Sequence, residues 1–156
     1  MKTILITGGC GYIGSHVCVE LIQEGYEVIV IDNLCNSSIE VLKRIRSITG
    51  TDISFYQNDV RDKSSLLKLF KKHSIDSVMH FAGLKSVKES VENPMNYYNN
   101  NVTGAITLCD VMSQSNCKSI VFSSSAIVYG EPKTLPIRED FPLLSSTPYG
   151  QSKLIV

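Results

Sequence analysis

The chain has 156 residues, and its 15 Lys and Arg are balanced by 15 Asp and Glu, so its formal net charge is zero. A domain of this length buries roughly 70% of the surface of its unfolded chain, which is enough for a hydrophobic core. A chain without net charge lacks the electrostatic footprint that draws proteins to nucleic acids or acidic membranes. We therefore predict no nucleic-acid or membrane partner.

The cysteines indicate a reducing environment. Five are present, at positions 10, 18, 35, 109 and 117, and none forms a Cys-x-x-Cys spacing. An odd set of this kind predicts free thiols and neither a disulfide framework nor a metal site. Only five residues separate Lys2 from Gly8, too few for the core of a signal peptide or a membrane span. These features predict a cytoplasmic protein.

Apolar strands and amphipathic helices alternate along the chain. Strands are predicted at 3–7, 27–32, 53–57, 77–82 and 118–123, and helices at 12–24, 38–48, 63–73 and 94–115. Short buried strands separated by helices imply parallel βαβ units with right-handed crossovers. The sequence therefore predicts the α/β class, with a doubly wound parallel sheet of the Rossmann type over residues 1–156.

The first strand runs directly into "TGGCGYIGSH", a glycine loop that includes Gly8, Gly11 and Gly14. A glycine spacing alone is weak evidence, because a turn without a ligand can contain it. Here the loop stands between a buried strand and an amphipathic helix, which is the context of dinucleotide binding. Glycines admit a pyrophosphate close to the backbone, and the helix N-terminus offers it free N–H donors.

Asp32 ends the second predicted strand, 18 residues after Gly14. A carboxylate in this position can accept both ribose hydroxyls of an adenosine and repels a 2′-phosphate. No Lys or Arg follows before Lys43, so NAD is predicted in preference to NADP. The alternative is a solvated acid at a strand end.

The fifth predicted strand ends in the serines of "FSSSAIVYG", among them Ser125. The carboxyl ends of the strands face the ligand crevice in this fold, so one of these hydroxyls can bond a substrate hydroxyl. A serine run that merely caps the following turn is an equally good interpretation of the same residues.

Tyr149 and Lys153 form a Tyr-x-x-x-Lys pair on a helix predicted to begin at Thr147-Pro148. Chance supplies about half of one such pair at this composition, so context must decide. The offset of four residues places both side chains on one helical face. A tyrosinate base at neutral pH needs about 4 kcal/mol of stabilisation, which a neighbouring ammonium can help to supply.

Taken together, these motifs resemble the extended short-chain dehydrogenase/reductases and, within them, the UDP-glucose 4-epimerase family. The resemblance is carried by "TGGCGYIGSH", "VIDNLCNSS", "NDVRD", "HFAGLKSVKESVENPMNYYNNNVTG", "FSSSAIVYG" and "TPYGQSK", which together span most of the chain. Ile127 departs from the pattern, since a Thr is expected there. Ala126 and Ile127 offer no acid or base after the serine run, which argues against a related dehydratase.

The resemblance implies roles for individual residues. Catalysis would belong to Ser125, Tyr149 and Lys153. The residues implied to bind NAD are Gly8, Gly11, Tyr12, Ile13 and Gly14 at the pyrophosphate; Asp32, Asn33, Leu34, Cys35, Asn36 and Ser37 around the ribose; Asp59 and Val60 at the adenine; and Phe81, Ala82, Gly83, Leu84, Lys85 and Asn101 along the rest of the cofactor. Lys85 could otherwise be an ordinary surface charge.

The resemblance also implies a reaction, the interconversion of UDP-glucose and UDP-galactose, and a homodimer for the full-length protein. Members of the family continue for roughly as long again and hold the substrate in the region that follows. We therefore expect a Rossmann domain that is incomplete at its C-terminal side, an exposed fifth strand, a poorly held terminal helix and no activity for this chain alone. Another NAD-dependent nucleotide-sugar epimerase or decarboxylase, or a noncatalytic dinucleotide-binding fragment, is the alternative.

Overall fold

The computed structural model describes residues 1–156 and contains one sheet of five strands. The strands are β1 (Thr3–Thr7), β2 (Glu27–Asp32), β3 (Ser54–Gln57), β4 (Ser77–His80) and β5 (Ser119–Phe122). Their order in the sheet is β3-β2-β1-β4-β5, and every neighbouring pair is parallel. The order reverses on either side of β1, which confirms the predicted doubly wound, Rossmann-like sheet.

Seven α-helices accompany the strands. They are α1 (Tyr12–Gln23), α2 (Glu40–Thr49), α3 (Lys63–Lys72), α4 (Val87–Glu92), α5 (Pro94–Tyr97), α6 (Gly104–Gln114) and α7 (Pro148–Ile155). A π-helical segment (Tyr98–Thr103) joins α5 to α6, and a 3₁₀ turn (Ala126–Tyr129) follows β5. None of the helices combines the length and the apolar character that a membrane crossing requires.

The predicted helix at 94–115 is the largest departure from the structure. It consists of α5, the π-helical segment and α6, and the separate helix α4 precedes it. Asn93 ends α4 and caps α5 by accepting a hydrogen bond from the Asn96 N–H, and Pro94 occupies the first turn of α5. An N-cap followed by proline starts a new helix because proline needs no hydrogen-bond partner there.

The chain divides into two compact units, which are described separately below. Unit 1 contains Met1–Ala82 and Thr107–Ser123, and unit 2 contains Gly83–Ile106 and Ser124–Val156. Unit 1 therefore holds the whole sheet with α1, α2, α3 and most of α6. Unit 2 holds α4, α5, the π-helical segment, the 3₁₀ turn and α7.

The sheet of unit 1 separates two hydrophobic clusters, because successive side chains of a strand point to opposite faces. Leu5 and Ile29 pack in one cluster with Leu108 of α6, while Ile6 and Val30 pack in the other. The outer strand β5 leaves Ile120 and Val121 40% and 53% exposed. This confirms the expectation of an apolar strand at the sheet edge.

Helix α7 is the centre of unit 2. It packs against α4, α5, the π-helical segment and the 3₁₀ turn, and it buries Ser152 and Lys153. The expectation that its packing partners lie downstream, leaving it poorly held, is wrong. Residues earlier in the chain supply the contacts that an isolated eight-residue helix needs.

Candidate functional site

The glycine loop of unit 1 leaves β1 in a tight turn. Gly8 has a φ of +70°, a conformation that favours glycine, and its N–H donates to the Ile31 carbonyl. A Cβ at Gly8 would lie 2.7 Å from the Ala82 nitrogen, and one at Gly14 would lie 2.3 Å from the Gly8 carbonyl oxygen. These glycines are therefore required by packing within the protein itself, in addition to any access that they give to a ligand.

The loop ends at the N-terminus of α1, which offers unpaired donors. Gly11 is the N-cap and contributes no side-chain hydrogen bond. The backbone N–H groups of Tyr12 and Ile13 have no acceptor within the chain, and both side chains are exposed. Unpaired N–H groups at the positive end of a helix suit an anion such as a pyrophosphate.

Asp32 lies at the end of β2 and is only 7% exposed. One carboxylate oxygen accepts the Cys10 N–H, and the other accepts the Leu34 N–H and the Ser37 hydroxyl, at 2.8 to 3.0 Å. Three of about four lone-pair positions are therefore occupied. Two further donors could bond Asp32 only if one of these three bonds were given up.

Asp59 is held by a fork of donors at the end of β3. Its oxygens accept from the backbone N–H, Nε and Nη2 of Arg61 and from the Asn33 amide, at 2.7 to 2.9 Å. The Arg61 guanidinium is the main cause that holds the pKa of Asp59 well below its usual range. The bond from the neutral Asn33 amide is weaker than the charged pair, so it is the bond that another donor would replace most easily.

The remaining unit 1 residues of the prediction lie near these two carboxylates or at the end of β4. Cys35 and Asn36 are exposed, Val60 is buried, and Phe81 and Ala82 are half-buried. The Phe81 N–H donates to the Thr7 carbonyl and the Ala82 N–H donates to the Thr7 hydroxyl. The described chain has no group of three His, Cys, Asp or Glu residues that could hold a metal ion.

In unit 2, α7 carries both members of the dyad. Thr147 caps the helix by accepting from the Gly150 N–H, with Pro148 in the first turn, as predicted. Tyr149 is half-buried, and its hydroxyl has no hydrogen-bond partner within the chain. Lys153 is buried, and this burial lowers its pKa to about 8.

Asn101 was expected beside the cofactor, and the structure uses all of its polar atoms within unit 2. Its carbonyl accepts the Leu84 N–H at 2.8 Å and the Asn100 amide at 3.0 Å. Its amide donates to the Leu84 carbonyl at 3.0 Å and to the Ser152 hydroxyl at 2.9 Å. Asn101 therefore fastens the 83–85 loop to α7, and a Cβ at Gly83 in that loop would lie 3.6 Å from Lys153 Nζ.

Ser125 caps the 3₁₀ turn through a long 3.5 Å hydrogen bond from the Ile127 N–H. This geometry agrees with the interpretation of the serine run as a cap. Because the bond is long, the hydroxyl can also turn toward another partner. Lys85 is exposed and forms no ion pair, as the surface-charge interpretation expects.

Tyr97 was missed by the sequence analysis. Its side chain is fully buried, and its ring meets the Tyr149 ring edge-on with 6.4 Å between centroids. Its hydroxyl accepts the Ser86 N–H and donates to Glu89, both at 2.9 Å. The spacing of four residues from Tyr97 to Asn101 was the available signal, because it places both on one helical face.

The chain matches known proteins along nearly its whole length. The family model described as GDP-mannose 4,6 dehydratase matches residues 5–156. The chain is 56% identical over 153 residues to a UDP-glucose 4-epimerase of Bacillus subtilis, covering 98% of this chain and 45% of that protein. It is 52% identical over 153 residues to the UDP-glucose 4-epimerase of Dictyostelium discoideum, covering 98% and 44%.

Solved structures agree with the sequence relatives. The UDP-glucose 4-epimerase of Stenotrophomonas maltophila, with bound NAD and formylated UDP-arabinopyranose, has a TM-score of 0.97 and 46% identity over 99% of this chain and 46% of its own. The UDP-glucose 4-epimerase of Bifidobacterium longum, in complex with NAD⁺ and UDP, has a TM-score of 0.96 and 49% identity. The match covers 98% of this chain and 46% of that one. The chain spans about 45% of the length of the curated relatives it matches. With its glycine loop, its Tyr149–Lys153 pair and these matches, the chain belongs to the extended short-chain dehydrogenase/reductases, in the family of nucleotide-sugar epimerases and dehydratases.

Proposed function

We propose that this chain carries the cofactor loop and the catalytic dyad of an NAD-dependent UDP-glucose 4-epimerase, which interconverts UDP-glucose and UDP-galactose. The observation that carries the proposal is the pair on α7, in which Lys153 is buried and the Tyr149 hydroxyl has no partner in the protein. Relatives that are more than 50% identical bear this name. Because the chain spans about 45% of their length, the reaction is proposed for the whole protein.

The residues of unit 1 fit NAD. The unpaired N–H groups of Tyr12 and Ile13 suit its pyrophosphate, and the buried carboxylate of Asp32 suits an adenosine ribose. A 2′-phosphate would meet the negative charge of Asp32 without a cation nearby in sequence to compensate it. Asp59 and Val60 are proposed at the adenine, and Phe81 and Ala82 beside the rest of the cofactor.

Tyr149 is proposed to take the proton of the sugar C4 hydroxyl and to return it. Its phenol must ionise to do so, and Lys153 one helical turn away lowers the cost through its positive charge. With a pKa of about 8, Lys153 is mostly protonated at neutral pH. Bound NAD would supply a reversible hydride acceptor for this carbon, so the net redox change would be zero. Ser125 is proposed to bond the substrate hydroxyl.

A dehydratase is the second candidate, because the family model bears that name. Elimination of water needs an additional acid and base beside the dyad. The 3₁₀ turn after Ser125 presents Ala126 and Ile127, which offer neither group. This observation favours epimerisation.

The test is a chimera that joins this chain at Val156 to the C-terminal part of the Bacillus subtilis relative. We expect it to bind NAD and to interconvert UDP-glucose and UDP-galactose, and we expect the chain alone to show no turnover. Tyr149→Phe should lower kcat at least about 100-fold, since a positioned proton carrier contributes about 10² to 10⁴. Tyr26→Phe, at a partly exposed tyrosine on the surface, is the matched control.

Several outcomes would contradict the proposal. A folded chimera that holds NAD and leaves both UDP-sugars unchanged would exclude the epimerase reaction. Undiminished turnover in the Tyr149→Phe chimera would remove Tyr149 from the chemistry. For the cofactor, Asp32→Ala should weaken NAD binding and leave NADP binding weak, because removing repulsion adds no partner for a 2′-phosphate. Tight NADP binding by that variant would show that another residue selects the cofactor.

The assembly and location of the whole protein are part of the same proposal. A homodimer is supported by exposed apolar side chains on unit 2, including Val91, Met95, Ile106 and Ile155. A cytoplasmic location is supported by five free cysteines, and burial raises the pKa of the Cys10 and Cys18 thiols to about 12. Light scattering on the chimera tests the dimer, with a monomer as the contrary result.

A further inference from the structure

A buried polar pair joins the ends of β1 and β4 in unit 1. Thr7 and His80 are register partners, 0% and 2% exposed, and the Thr7 hydroxyl oxygen lies 2.6 Å from His80 Nδ1. The preceding partners along the same two strands, Leu5 with Val78 and Ile6 with Met79, are apolar. A polar pair at this one position costs desolvation, so its hydrogen bonds must compensate for that cost.

The direction of the hydrogen bond follows from the donors around Thr7. The Ala82 N–H donates to the Thr7 hydroxyl oxygen at 3.2 Å, so that oxygen already acts as an acceptor. His80 Nδ1 lies within hydrogen-bond distance of the same hydroxyl, so it can accept the hydroxyl proton. A buried hydroxyl proton without an acceptor would be costly, so the hydroxyl donates to Nδ1. In this arrangement Nδ1 is the acceptor, and the imidazole proton is on Nε2.

This chain of bonds ends at the glycine loop. His80 orients the Thr7 hydroxyl, and that hydroxyl holds the Ala82 N–H. The Ala82 nitrogen in turn lies where a Cβ on Gly8 would be 2.7 Å away. The imidazole itself is fixed by the Phe122 ring, which stacks on it with 5.8 Å between centroids and a 26° interplanar angle.

We propose that His80, acting through the Thr7 hydroxyl, is a positioning residue. It fixes the place of the Phe81–Ala82 segment against the glycine loop, and thereby the affinity of this site for the dinucleotide. The inference rests on the proposed function for the identity of the cofactor. His80 does not touch the reacting atoms in this proposal. Its part in this proposal is the hydrogen-bond acceptor at Nδ1, so a side chain that supplies the same acceptor should keep the Ala82 N–H in place.

Four variants of the chain test the acceptor. His80→Asn keeps an acceptor oxygen near the position of Nδ1, and His80→Leu removes it at similar size. Thr7→Ser keeps the hydroxyl, and Thr7→Val removes it at nearly the same shape. We expect His80→Leu and Thr7→Val to weaken NAD binding about tenfold by calorimetry, the value of one buried hydrogen bond. His80→Asn and Thr7→Ser should stay within about threefold of the parent chain.

The contrary results are specific. A folded His80→Leu chain that binds NAD as the parent does would overturn the proposal. The proposal would also be overturned if NAD affinity fell in all four variants in proportion to their loss of stability, because that pattern describes general core packing.

Two measurements are independent of the cofactor. Nitrogen-15 spectra of the imidazoles should show His80 as the Nε2–H tautomer, and an Nδ1–H tautomer would overturn the inference. Amide exchange of Ala82 should be slow in the parent and in His80→Asn and faster in His80→Leu. Equal exchange in the three chains would also overturn it. If the parent chain does not bind NAD while these two results hold, the proposed cofactor is wrong, and the positioning of Ala82 by His80 through Thr7 remains supported.

Discussion

The two units of the chain hold their functional groups by different means. In unit 1 the glycine loop is shaped by backbone contacts, such as the 2.3 Å approach that a Cβ on Gly14 would make to the Gly8 carbonyl. In unit 2 the dyad helix is held by side chains, with Asn101 bound to Leu84 and Ser152 and Tyr97 packed on Tyr149. The first site tolerates no Cβ at its glycines, whereas the second depends on the identity of each contacting side chain.

The largest expected effect is in unit 2. Asn101→Ala should lower the free energy of unfolding by about 3 to 4 kcal/mol, because the N–H and carbonyl of Leu84 lose their partner and the Ser152 hydroxyl loses one donor. Asn99→Ala, on the exposed side of the same segment, is the control. Urea unfolding measures the effect, and NAD affinity should change less than stability does. Equal stability of the two variants would show that Asn101 does not hold α7.

Lys153 predicts a pH dependence of the same order. Its folded pKa of about 8 lies below the 10.5 of a lysine in the unfolded chain. Between these values the unfolded chain binds more protons, so stability should rise with pH across the window, by up to about 3 kcal/mol. Lys153→Met should be more stable than the parent at pH 7 and should lack this rise. Parallel stability curves for the two chains between pH 8 and 10.5 would contradict the burial of the charge.

The next largest effect is expected in the glycine loop of unit 1. Gly14→Ala should cost about 2 kcal/mol by overpacking, although alanine favours a helix more than glycine does. It should also abolish measurable NAD binding, because the loop must move to relieve the contact with Gly8. Gly25→Ala is the control, since its φ of +81° makes alanine strained while nothing lies within 4 Å. Retained NAD affinity in Gly14→Ala would show that the loop adapts.

The smallest effect is expected from the helix N-caps, Thr147 for α7 and Asp62 for α3. Thr147→Ala removes the hydroxyl that accepts the Gly150 N–H and should cost about 1 kcal/mol, and Thr147→Ser should restore it. Amide exchange should quicken in α7 and remain unchanged in α3. Asp62→Ala removes the cap of α3 and should give the reverse pattern. Faster exchange in both helices for either variant would mean that the cap does not act on its own helix alone.

Much of unit 1 could be predicted, and little of unit 2. The strands were predicted to within two residues at each end because buried runs such as Thr3–Thr7 carry a direct apolar signal. The helix at 94–115 was predicted as continuous because hydrophobic spacing does not reveal a π-helical segment. Tyr97 was missed because its value lies in contacts with Ser86, Glu89 and Tyr149.

The sequence by itself determined the parallel α/β sheet, the glycine loop after β1, the acid at the end of β2 and the four-residue spacing of Tyr149 and Lys153. Each of these is a local pattern, set by strand burial, backbone clearance or helix geometry. Tertiary structure alone decided that Lys153 is buried, that Asn101 fastens a loop to α7 and that Thr7 and His80 meet as a buried hydrogen-bonded pair. These properties depend on which polar groups meet after folding, and desolvation makes such pairings matter only in the packed interior.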